Sequence, residues 1–424
     1  MTQISLEQDV DALWDARNID RQLYTSQEVF ENEQKYLFPR TWQFACLVHD
    51  FKKTGDFFTV TIGNQPVIIV RNADGELNAF HNACTHRGAV LNGEKCGNYG
   101  RVLKCMYHAW SFNLNGQLIA VPYEQGYGPE FDRNDYNLAP VKVDTFGDLV
   151  FVAIDPEIPT LDEYLGEMKE HLAPFVNGIE AIGRNSWIYN GNWKLWHENF
   201  RDNYHPEFTH RAVHDLIPHY ADRGANYALA PGHSVLRWMA EEPNVKSYLR
   251  NMKRYSGVEF PQDSKTSFEE ENEEYVEVPG SVLAVFPNLD IQPGSPSVGA
   301  SGLVREVRSG YIQFVVPLSP DKARVDIVVY SSTDDDEAER QKMLNHVADN
   351  QGSWGKVSAD DTEAAVRCQI GAGGTGRRFS LASRGFNPGN GGDNSESRDE
   401  YSLREFYRVY AQYLAKPGSA PETD

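Results

Sequence analysis

Cysteine is scarce in this chain, and long hydrophobic runs are absent from it. The five cysteines among 424 residues are an odd and sparse set, so we expect no disulfide framework. The apolar runs, such as residues 149–154, have the length of β-strands and fall far short of the ~18 residues that a membrane span needs. The first residues lack the basic and apolar regions of a secretory signal. We therefore expect a soluble cytoplasmic protein with no membrane partner.

Positive charge is also in short supply. The chain has 40 lysines and arginines against 61 aspartates and glutamates, which gives a formal net charge of -21 at pH 7. A surface this acidic repels the phosphates of nucleic acids, so we expect no nucleic-acid partner. The acidic runs at 269–274 and 334–337 are interpreted as solvated surface, with docking of a basic electron donor as the weaker alternative.

A carboxylate and two imidazoles stand close together in the stretch 192–210, at Asp202, His205 and His210. Two imidazoles and one carboxylate on one side of a ferrous ion leave the other side open for dioxygen and substrate. On a helix Asp202 and His205 would share a face, but His205 and His210 would not, so we expect Pro206 to break the helix between them. The alternative is that these histidines are ordinary core residues.

Two Cys-His pairs lie within a run of short apolar segments separated by glycine, asparagine and aspartate, which predicts a small all-β domain. The pairs are Cys84-Thr-His86 and Cys105-Met-Tyr-His108. Structural zinc sites usually place about two to four residues inside each pair, so the first pair fits zinc poorly. A Rieske [2Fe-2S] cluster fits better, with the cysteines on one iron and the histidines on the other.

Two capping boxes predict helices that flank the β domain. Thr25 followed by Glu28 predicts the start of a helix that Pro39 ends. Thr160 followed by Glu163 predicts the start of another helix beyond the β domain.

These signals predict an α+β protein in three parts. Residues 1–40 form an N-terminal helical segment that packs on the last domain, residues 41–155 form the all-β domain, and residues 156–424 form a domain with helices and a mostly antiparallel sheet. Ser309-Gly310 lies between two apolar runs and predicts a hairpin turn. The strand-like runs of the last domain are 186–189, 234–239, 281–286, 303–318 and 325–330.

In context, Cys84-Thr-His-Arg-Gly and Cys105-Met-Tyr-His-Ala-Trp resemble the Rieske domain of ring-hydroxylating oxygenase α subunits. The resemblance extends over nearly the whole chain and is greatest to the salicylate hydroxylase, terephthalate and benzoate dioxygenase branch. It implies a Rieske domain inserted before a helix-grip catalytic domain, with one [2Fe-2S] cluster and one Fe²⁺ per chain. Respiratory Rieske proteins are the rival family, but their cluster loops carry extra cysteines where this chain has Ala89 and Tyr107.

The resemblance also implies roles for the residues of the iron site. His205 and His210 are iron ligands, and Asp202 is the acidic residue that bridges to the Rieske histidine of a neighbouring subunit. This replaces the reading of Asp202 as an iron ligand. The carboxylate ligand comes from Asp361 or its neighbour Asp360, and the alignment of the following residues favours Asp361.

Substrate contacts are expected from a second region. Residues 286–292 and the residues around Arg305 resemble pocket strands of family members that act on salicylate, terephthalate and related benzoates, where an arginine is expected to hold the carboxylate. The alternatives are a surface arginine paired with Glu306, or Arg308 in the same role. Asn199 is expected to contact the substrate as well.

The predicted function is that of a terminal oxygenase component that uses O2 to hydroxylate an aromatic, carboxylated substrate. The alternatives are a Rieske oxygenase that hydroxylates or demethylates a non-aromatic substrate, and an electron carrier without oxygenase activity. Residues 371–376 match the dinucleotide fingerprint in letters but lack the strand before and the helix after it, so a separate reductase is expected to oxidise NAD(P)H. The expected partners are that reductase, with or without a ferredoxin, in a homotrimer or an α3β3 assembly with a small β subunit.

Overall fold

The chain divides into two compact units. In a computed structural model, one unit is Glu31–Tyr164, and residues up to Phe30 join those from Leu165 onward in the other. The structure describes residues 14–15, 17–210, 224–240, 278–293, 309–353, 355–374, 376–387, 392–393, 396 and 398–415.

The N-terminal region forms short helices and strands. The predicted helix cap at Thr25 was wrong by one residue, because Ser26 occupies that position. Thr25 ends a helix, and it is the Ser26 hydroxyl that accepts the N–H of Val29 at 3.3 Å in the first turn of the next helix. Two adjacent hydroxyl residues compete for the capping position, which a sequence pattern does not resolve. The elements are β1 (Trp14–Asp15), β2 (Asn18–Asp20), α1 (Gln22–Thr25), α2 (Gln27–Asn32), a π-helical turn (Glu33–Leu37) and a 3-10 turn (Phe38–Arg40).

The unit Glu31–Tyr164 is built from antiparallel strands, as predicted. One sheet has seven strands in the order β3-β12-β11-β6-β5-β4-β7, and a second has three in the order β10-β9-β8. Residues of both sheets pack in one hydrophobic core, which also contains Cys84 and Cys105. The strands are β3 (Gln43–Leu47), β4 (Asp56–Ile62), β5 (Gln65–Arg71), β6 (Leu77–His81), β7 (Cys96–Asn98), β8 (Val102–Lys104), β9 (Ser111–Asn113), β10 (Leu118–Ala120), β11 (Pro140–Phe146) and β12 (Leu149–Ala153). Three further 3-10 turns span Val48–Asp50, Glu124–Tyr127 and Arg133–Tyr136.

The second unit places helices around a seven-stranded antiparallel sheet of order β13-β19-β18-β17-β16-β15-β14. The seven strands of this sheet are β13 (Ile179–Tyr189), β14 (Ala225–Leu229), β15 (His233–Ala240), β16 (Val278–Val285), β17 (Leu289–Pro293), β18 (Gly310–Ser319) and β19 (Lys322–Ser332). The shorter strands β20 (Phe379–Leu381), β21 (Phe386–Asn387) and β22 (Gly392–Asp393) belong to smaller sheets. The helix α3 (Leu161–Leu165) ends the first unit, since only its last residue is assigned to the second. The helices that follow are α4 (Met168–Leu172), α5 (Trp193–Asn199), α6 (Pro206–Thr209), α7 (Glu337–Asn350), α8 (Lys356–Ala372) and α9 (Tyr401–Ala415).

Two local predictions in this part of the chain had opposite outcomes. The capping box before α3 is confirmed, because the Thr160 hydroxyl accepts the N–H of Glu163 at 3.2 Å and the Glu163 carboxylate accepts the N–H of Thr160 at 2.9 Å. The hairpin turn at Ser309-Gly310 is wrong, because Gly310 pairs with Pro293 on one side and Tyr330 on the other. A Ser-Gly pair permits a tight turn, but here Gly310 begins β18 and is already paired with a strand on each side.

The N-terminal residues belong to the sheet-and-helix unit through specific contacts. Strand β2 pairs with β20, and the Arg21 side chain donates to the Ser380 hydroxyl at 3.1 Å. The helix α8 ends at Ala372, so the glycine-rich run 371–376 begins at the end of a helix and does not follow a strand. Within the described ranges, no helix has the length and apolar character that crossing a bilayer requires.

Candidate metal centres

The chain around α5 and α6 positions two side chains of the first candidate metal-binding set. The Asn192 side chain accepts the N–H of Lys194 at 3.1 Å and so caps α5, which ends at Asn199. Pro206 then occupies the first turn of α6, with His205 as the N-cap residue and His210 as the C-cap residue. Pro206 therefore starts a helix instead of breaking one, because proline's fixed φ suits the first helical position. The two histidines flank a single helical turn.

His205, His210 and Asp361 point their donor atoms at one place. The Asp361 Oδ1 atom lies 3.2 Å from Nε2 of His210 and 3.6 Å from Nε2 of His205. Among the described residues, this is the one group in which three histidine, cysteine or acidic side chains place ligand atoms within 4.8 Å of one another. Two imidazoles and one carboxylate form the donor set of mononuclear non-haem ferrous sites, so these residues fit Fe²⁺.

The other ring nitrogen of each histidine faces a carboxylate. Asp202 Oδ2 lies 3.2 Å from Nδ1 of His205, and Asp360 Oδ2 lies 3.5 Å from Nδ1 of His210. Such contacts fix the tautomer and the ring orientation of a ligand histidine, so that Nε2 faces the metal. The sequence predicted Asp202 near the histidines but missed this role for Asp360. In the sequence, only the position of Asp360 next to Asp361 indicated that Asp360 could lie near the histidines.

The same contacts shift the pKa values of His205 and Asp361. Burial disfavours a charged imidazole at His205, but hydrogen bonds with Asp202 and Asp361 outweigh burial and raise its pKa to about 9. Burial by itself would raise the pKa of Asp361, but its hydrogen bonds with His205 and His210 hold it below the usual value.

Of the two residues predicted to contact substrate, the structure describes one. The Asn199 side chain donates to Asp361 Oδ1 at 3.3 Å, so it lies directly against the three converging donor atoms. Arg305 lies outside the residues that the structure describes.

A buried polar chain supports the segment between α5 and α6. The Arg201 Nε donates to Nε2 of His197 at 3.1 Å, and His197 Nδ1 lies 2.8 Å from Asp290 Oδ2. Because a guanidinium only donates, His197 must accept at Nε2 and donate from Nδ1 to the carboxylate. The Arg201 carbonyl oxygen also accepts from the side chains of Asn226 at 3.2 Å and Ser402 at 2.9 Å. These bonds tie the residue before Asp202 to the sheet and to α9.

The second set of candidate metal-binding residues lies in the unit Glu31–Tyr164, on two loops with the same backbone pattern. The N–H of Cys84 donates to the carbonyl of Ala89, and the N–H of Cys105 donates to that of Trp110, both at 2.8 Å. The fifth residue of each loop, Gly88 in one and Ala109 in the other, adopts the left-handed backbone conformation and returns its N–H to the cysteine carbonyl. The loops differ in carrying the histidine at the third or the fourth position.

The side chains of these loops group by type. Cys84 and Cys105 are both buried; burial raises the pKa of the Cys84 thiol, and the nearby Cys105 sulfur adds to the rise. The rings of His86 and His108 lie together, with centroids 4.5 Å apart. Among these four described residues, no three have all their ligand atoms within 4.8 Å of one another, which is farther apart than the ligands of a single tetrahedral ion would lie. Two thiolates on one side and two imidazoles on the other fit a binuclear Rieske cluster.

Comparison with known families agrees with both donor sets. Residues 41–143 match the Rieske [2Fe-2S] domain, and residues 176–416 match the family described as "Ring hydroxylating alpha subunit (catalytic domain)". The chain is a ring-hydroxylating oxygenase α subunit. The Rieske unit of this oxygenase thus contains Cys84, His86, Cys105 and His108, and its catalytic unit contains His205, His210 and Asp361.

Individual relatives of the oxygenase match along most of its length. The chain is 26% identical to the 2-aminobenzenesulfonate 2,3-dioxygenase subunit alpha of Alcaligenes sp, over 94% of both chains. It is 28% identical to a terephthalate 1,2-dioxygenase terminal oxygenase component subunit alpha of Comamonas sp, over 93% of this chain and 94% of the relative. The similarity therefore extends over nearly the whole length of each of these subunits.

Solved structures show the same fold. A naphthalene 1,2-dioxygenase from Rhodococcus sp. bound to indole superposes with a TM-score of 0.78 at 21% identity, covering 98% of both chains. A quaternary ammonium Rieske monooxygenase superposes with a TM-score of 0.73 at 18% identity, covering 97% of this chain and 99% of the other. At these identities the likeness establishes the fold of the oxygenase and leaves its substrate open.

Proposed function

We propose that this α subunit holds one ferrous ion on His205, His210 and Asp361 and hydroxylates an aromatic, carboxylated compound with electrons from its Rieske cluster. The observation that carries the proposal is the convergence of two Nε2 atoms and one carboxylate oxygen within 4.8 Å of one another in the catalytic unit. A carrier that only transferred electrons would need no such second donor set.

The residues around this set have distinct tasks. When iron is bound, it supplies the activation of O2 beside the substrate. Asp202 and Asp360 orient the two imidazoles through their Nδ1 atoms, and Asn199 donates to the carboxylate oxygen that faces both rings. Three protein donors leave the remaining coordination positions for small molecules. The protein's contribution is to orient the donors and the substrate.

We extend the proposal to electron delivery between subunits. The Asp202 carboxylate contacts His205 with Oδ2, and its side chain remains 21% exposed. A carboxylate that holds a metal ligand and still reaches the surface is suited to accept a hydrogen bond from a cluster histidine of a neighbouring subunit. A head-to-tail C3 ring would repeat this contact three times. A reductase, with or without a ferredoxin, would reduce the cluster with electrons from NAD(P)H, and a small β subunit would complete an α3β3 assembly.

The proposed substrate class rests on the relatives and on residue chemistry. The matched relatives are named for an aminobenzenesulfonate and for terephthalate, which are anionic benzene derivatives. An arginine is the suited partner for such an anion, since its guanidinium forms two parallel hydrogen bonds with a carboxylate. We propose Arg305 for this contact.

Two measurements test the function. Iron analysis of the purified protein should find about three irons per chain, whereas a carrier with only the cluster would hold about two. Oxygen uptake should then be followed with NADH and a surrogate reductase across aromatic acids, aromatic amines, terpenoids and a quaternary ammonium compound. Substrate-dependent uptake with an aromatic acid and recovery of a hydroxylated product support the proposal. Uptake with the quaternary ammonium compound alone would replace the aromatic substrate with a non-aromatic one.

A further inference from the structure

The segment 123–137 of the Rieske unit is held in place beside the cluster loops. Glu124 and Arg133, at its two ends, form a double hydrogen bond through both carboxylate oxygens, with Arg133 Nε lying 2.9 Å from Glu124 Oε1. Arg133 also donates to the carbonyl oxygen of Ile119 at 2.8 Å, and the Thr85 hydroxyl donates to that of Tyr136 at 2.7 Å. Because Thr85 lies between Cys84 and His86, the last contact ties the segment directly to the first cluster loop.

Aromatic rings fill the space between this segment and His86. The His86 ring stacks on Trp110 at 4.9 Å between centroids, with only 10° between the ring planes. Tyr127 stacks on Phe131 at 4.9 Å and meets Trp110 edge-on at 5.9 Å. Phe131 stacks in turn on Tyr136 at 4.9 Å. The ring of Tyr127 is therefore fixed from two sides, although it lies partly at the surface.

This arrangement places the Tyr127 hydroxyl 3.3 Å from Nε2 of His86. A phenol can donate or accept, so the contact is available whichever of the two atoms carries the proton. With Nε2 occupied by Tyr127, Nδ1 is the nitrogen left for the cluster iron. No side chain of the described residues hydrogen-bonds to His108, whose ring contacts are with His86 and Tyr107. The two cluster histidines therefore have different surroundings.

We propose that Tyr127 is a positioning residue for the cluster: its hydroxyl holds the outer nitrogen of His86, fixes the orientation of that ring, and lowers the cluster's reduction potential. An oxidised cluster draws more electron density from the imidazole, which makes the outer N–H a stronger donor. An oxygen that accepts this bond stabilises the oxidised state more than the reduced state, and hydrogen bonding around a cluster is one of the factors that set its potential. The proposal depends on the cluster alone and is independent of the mononuclear iron and of the substrate.

Two matched variants of the full-length, cluster-loaded protein test this role. Tyr127→Phe removes the hydroxyl and keeps the stacked ring, whereas Tyr136→Phe removes a hydroxyl from the same aromatic group that has no contact with His86. The reduction potential is measured for each at one pH, and pulsed EPR of the reduced cluster reports the nitrogen couplings of the two histidines. Only protein molecules that contain the cluster contribute to the measured reduction potential, so incomplete cluster loading does not prevent the comparison.

Tyr127→Phe should favour the reduced cluster about threefold, which corresponds to about 30 mV at about 59 mV per factor of ten. It should also change the couplings of one histidine and leave those of the other unchanged. Tyr136→Phe should match the wild type in both measurements. An unchanged potential and unchanged couplings in Tyr127→Phe would overturn the proposal, as would equal shifts in both variants.

Discussion

Asp361 holds its Oδ1 atom 3.2 Å from Nε2 of His210. Its neighbour Asp360 faces the opposite nitrogen of the same ring, with Oδ2 at 3.5 Å from Nδ1. Two adjacent aspartates therefore occupy the two ends of one imidazole. One is positioned as a metal ligand, and the other as the group that orients the ligand histidine.

The first prediction separates these two aspartates. Asp361→Ala should lose the mononuclear iron and all turnover while keeping the cluster, as should His205→Ala and His210→Ala. Asp360→Ala should still bind iron, with an affinity about 10-fold to 100-fold lower, because it removes only an orienting contact. Iron per chain and a Fe²⁺ titration measure both effects, with the cluster absorbance as an internal control. Loss of iron from Asp360→Ala but not from Asp361→Ala would reverse the two roles, and retention in both would remove the carboxylate assignment.

The second prediction concerns the cluster ligands. The purified protein should be brown and should give a rhombic EPR signal after reduction. His108→Cys replaces an imidazole on the outer iron with a thiolate and should lower the potential, because the two histidines raise it. Cys96→Ser is the matched control, since this exposed thiol lies on β7 and outside both cluster loops. A colourless protein loaded with zinc would show that the donor set is not a Rieske site.

The third prediction concerns Asp202. Asp202→Asn should keep both metal centres filled, but it should slow reoxidation of the reduced cluster by O2 in single-turnover experiments by about 10-fold to 100-fold. The carboxylate is the proposed link between subunits, and the amide is a poorer acceptor for a histidine N–H. Glu207→Gln is the control, because Glu207 pairs with Arg398 and contacts no ligand histidine. Full activity of a dilute monomer would contradict transfer between subunits.

The fourth prediction concerns pH and Glu198. Burial raises the pKa of Glu198 from the usual 4.5 to about 7, against the opposing effect of hydrogen bonds donated by the Tyr24 and Tyr407 hydroxyls. Because the pKa of Glu198 is higher in the folded than in the unfolded protein, protonation of this carboxyl stabilises the folded state. The stabilisation is fully present below about pH 4.5 and is lost as the pH rises through about 7.

Glu198→Gln remains neutral at every pH and should remove this dependence. The free energy of unfolding of the variant minus that of the wild type should therefore be more positive at about pH 8 than at about pH 5. Thermal unfolding of both proteins at the two pH values measures the difference. The same difference at both pH values would show that Glu198 does not titrate in this range.

The fifth prediction concerns Arg305 and the substrate. Arg305→Gln should raise the KM for an aromatic acid roughly tenfold to a hundredfold, the equivalent of losing about 1.5 to 3 kcal/mol from a charge-assisted hydrogen bond. A neutral analogue of the same ring should be affected far less. Arg308→Gln is the matched control and is expected to change neither value. Equal losses for acid and neutral analogue, or none for either, would remove the carboxylate contact.

Local patterns in the sequence were enough to predict much of the fold. The run at residues 67–70 consists of Val and Ile and forms the centre of β5, with each of these side chains buried. β-Branched residues suit a pleated, buried strand wherever it lies, so the prediction needs no distant information. The Thr160 capping box is a similar case, since its partners are three residues apart. The predictions at Thr25 and at Ser309-Gly310 were wrong because another local structure was equally compatible with the sequence. Ser26 caps the helix in place of Thr25, and Gly310 pairs with two strands instead of forming a turn.

The amino-acid sequence by itself determined the chemistry: two cysteines and two histidines for a cluster, two further histidines, and a pair of adjacent aspartates much later in the chain. It did so because donor atoms are properties of side chains and their spacing within a loop is local. The tertiary structure alone decided which aspartate turns toward Nε2 of His210, because successive residues on α8 point about 100° apart and only the helix's packing selects one. It alone placed Tyr127 on His86 and Asp290 on His197, since contacts between residues far apart in the chain depend on how loops, helix and sheet pack.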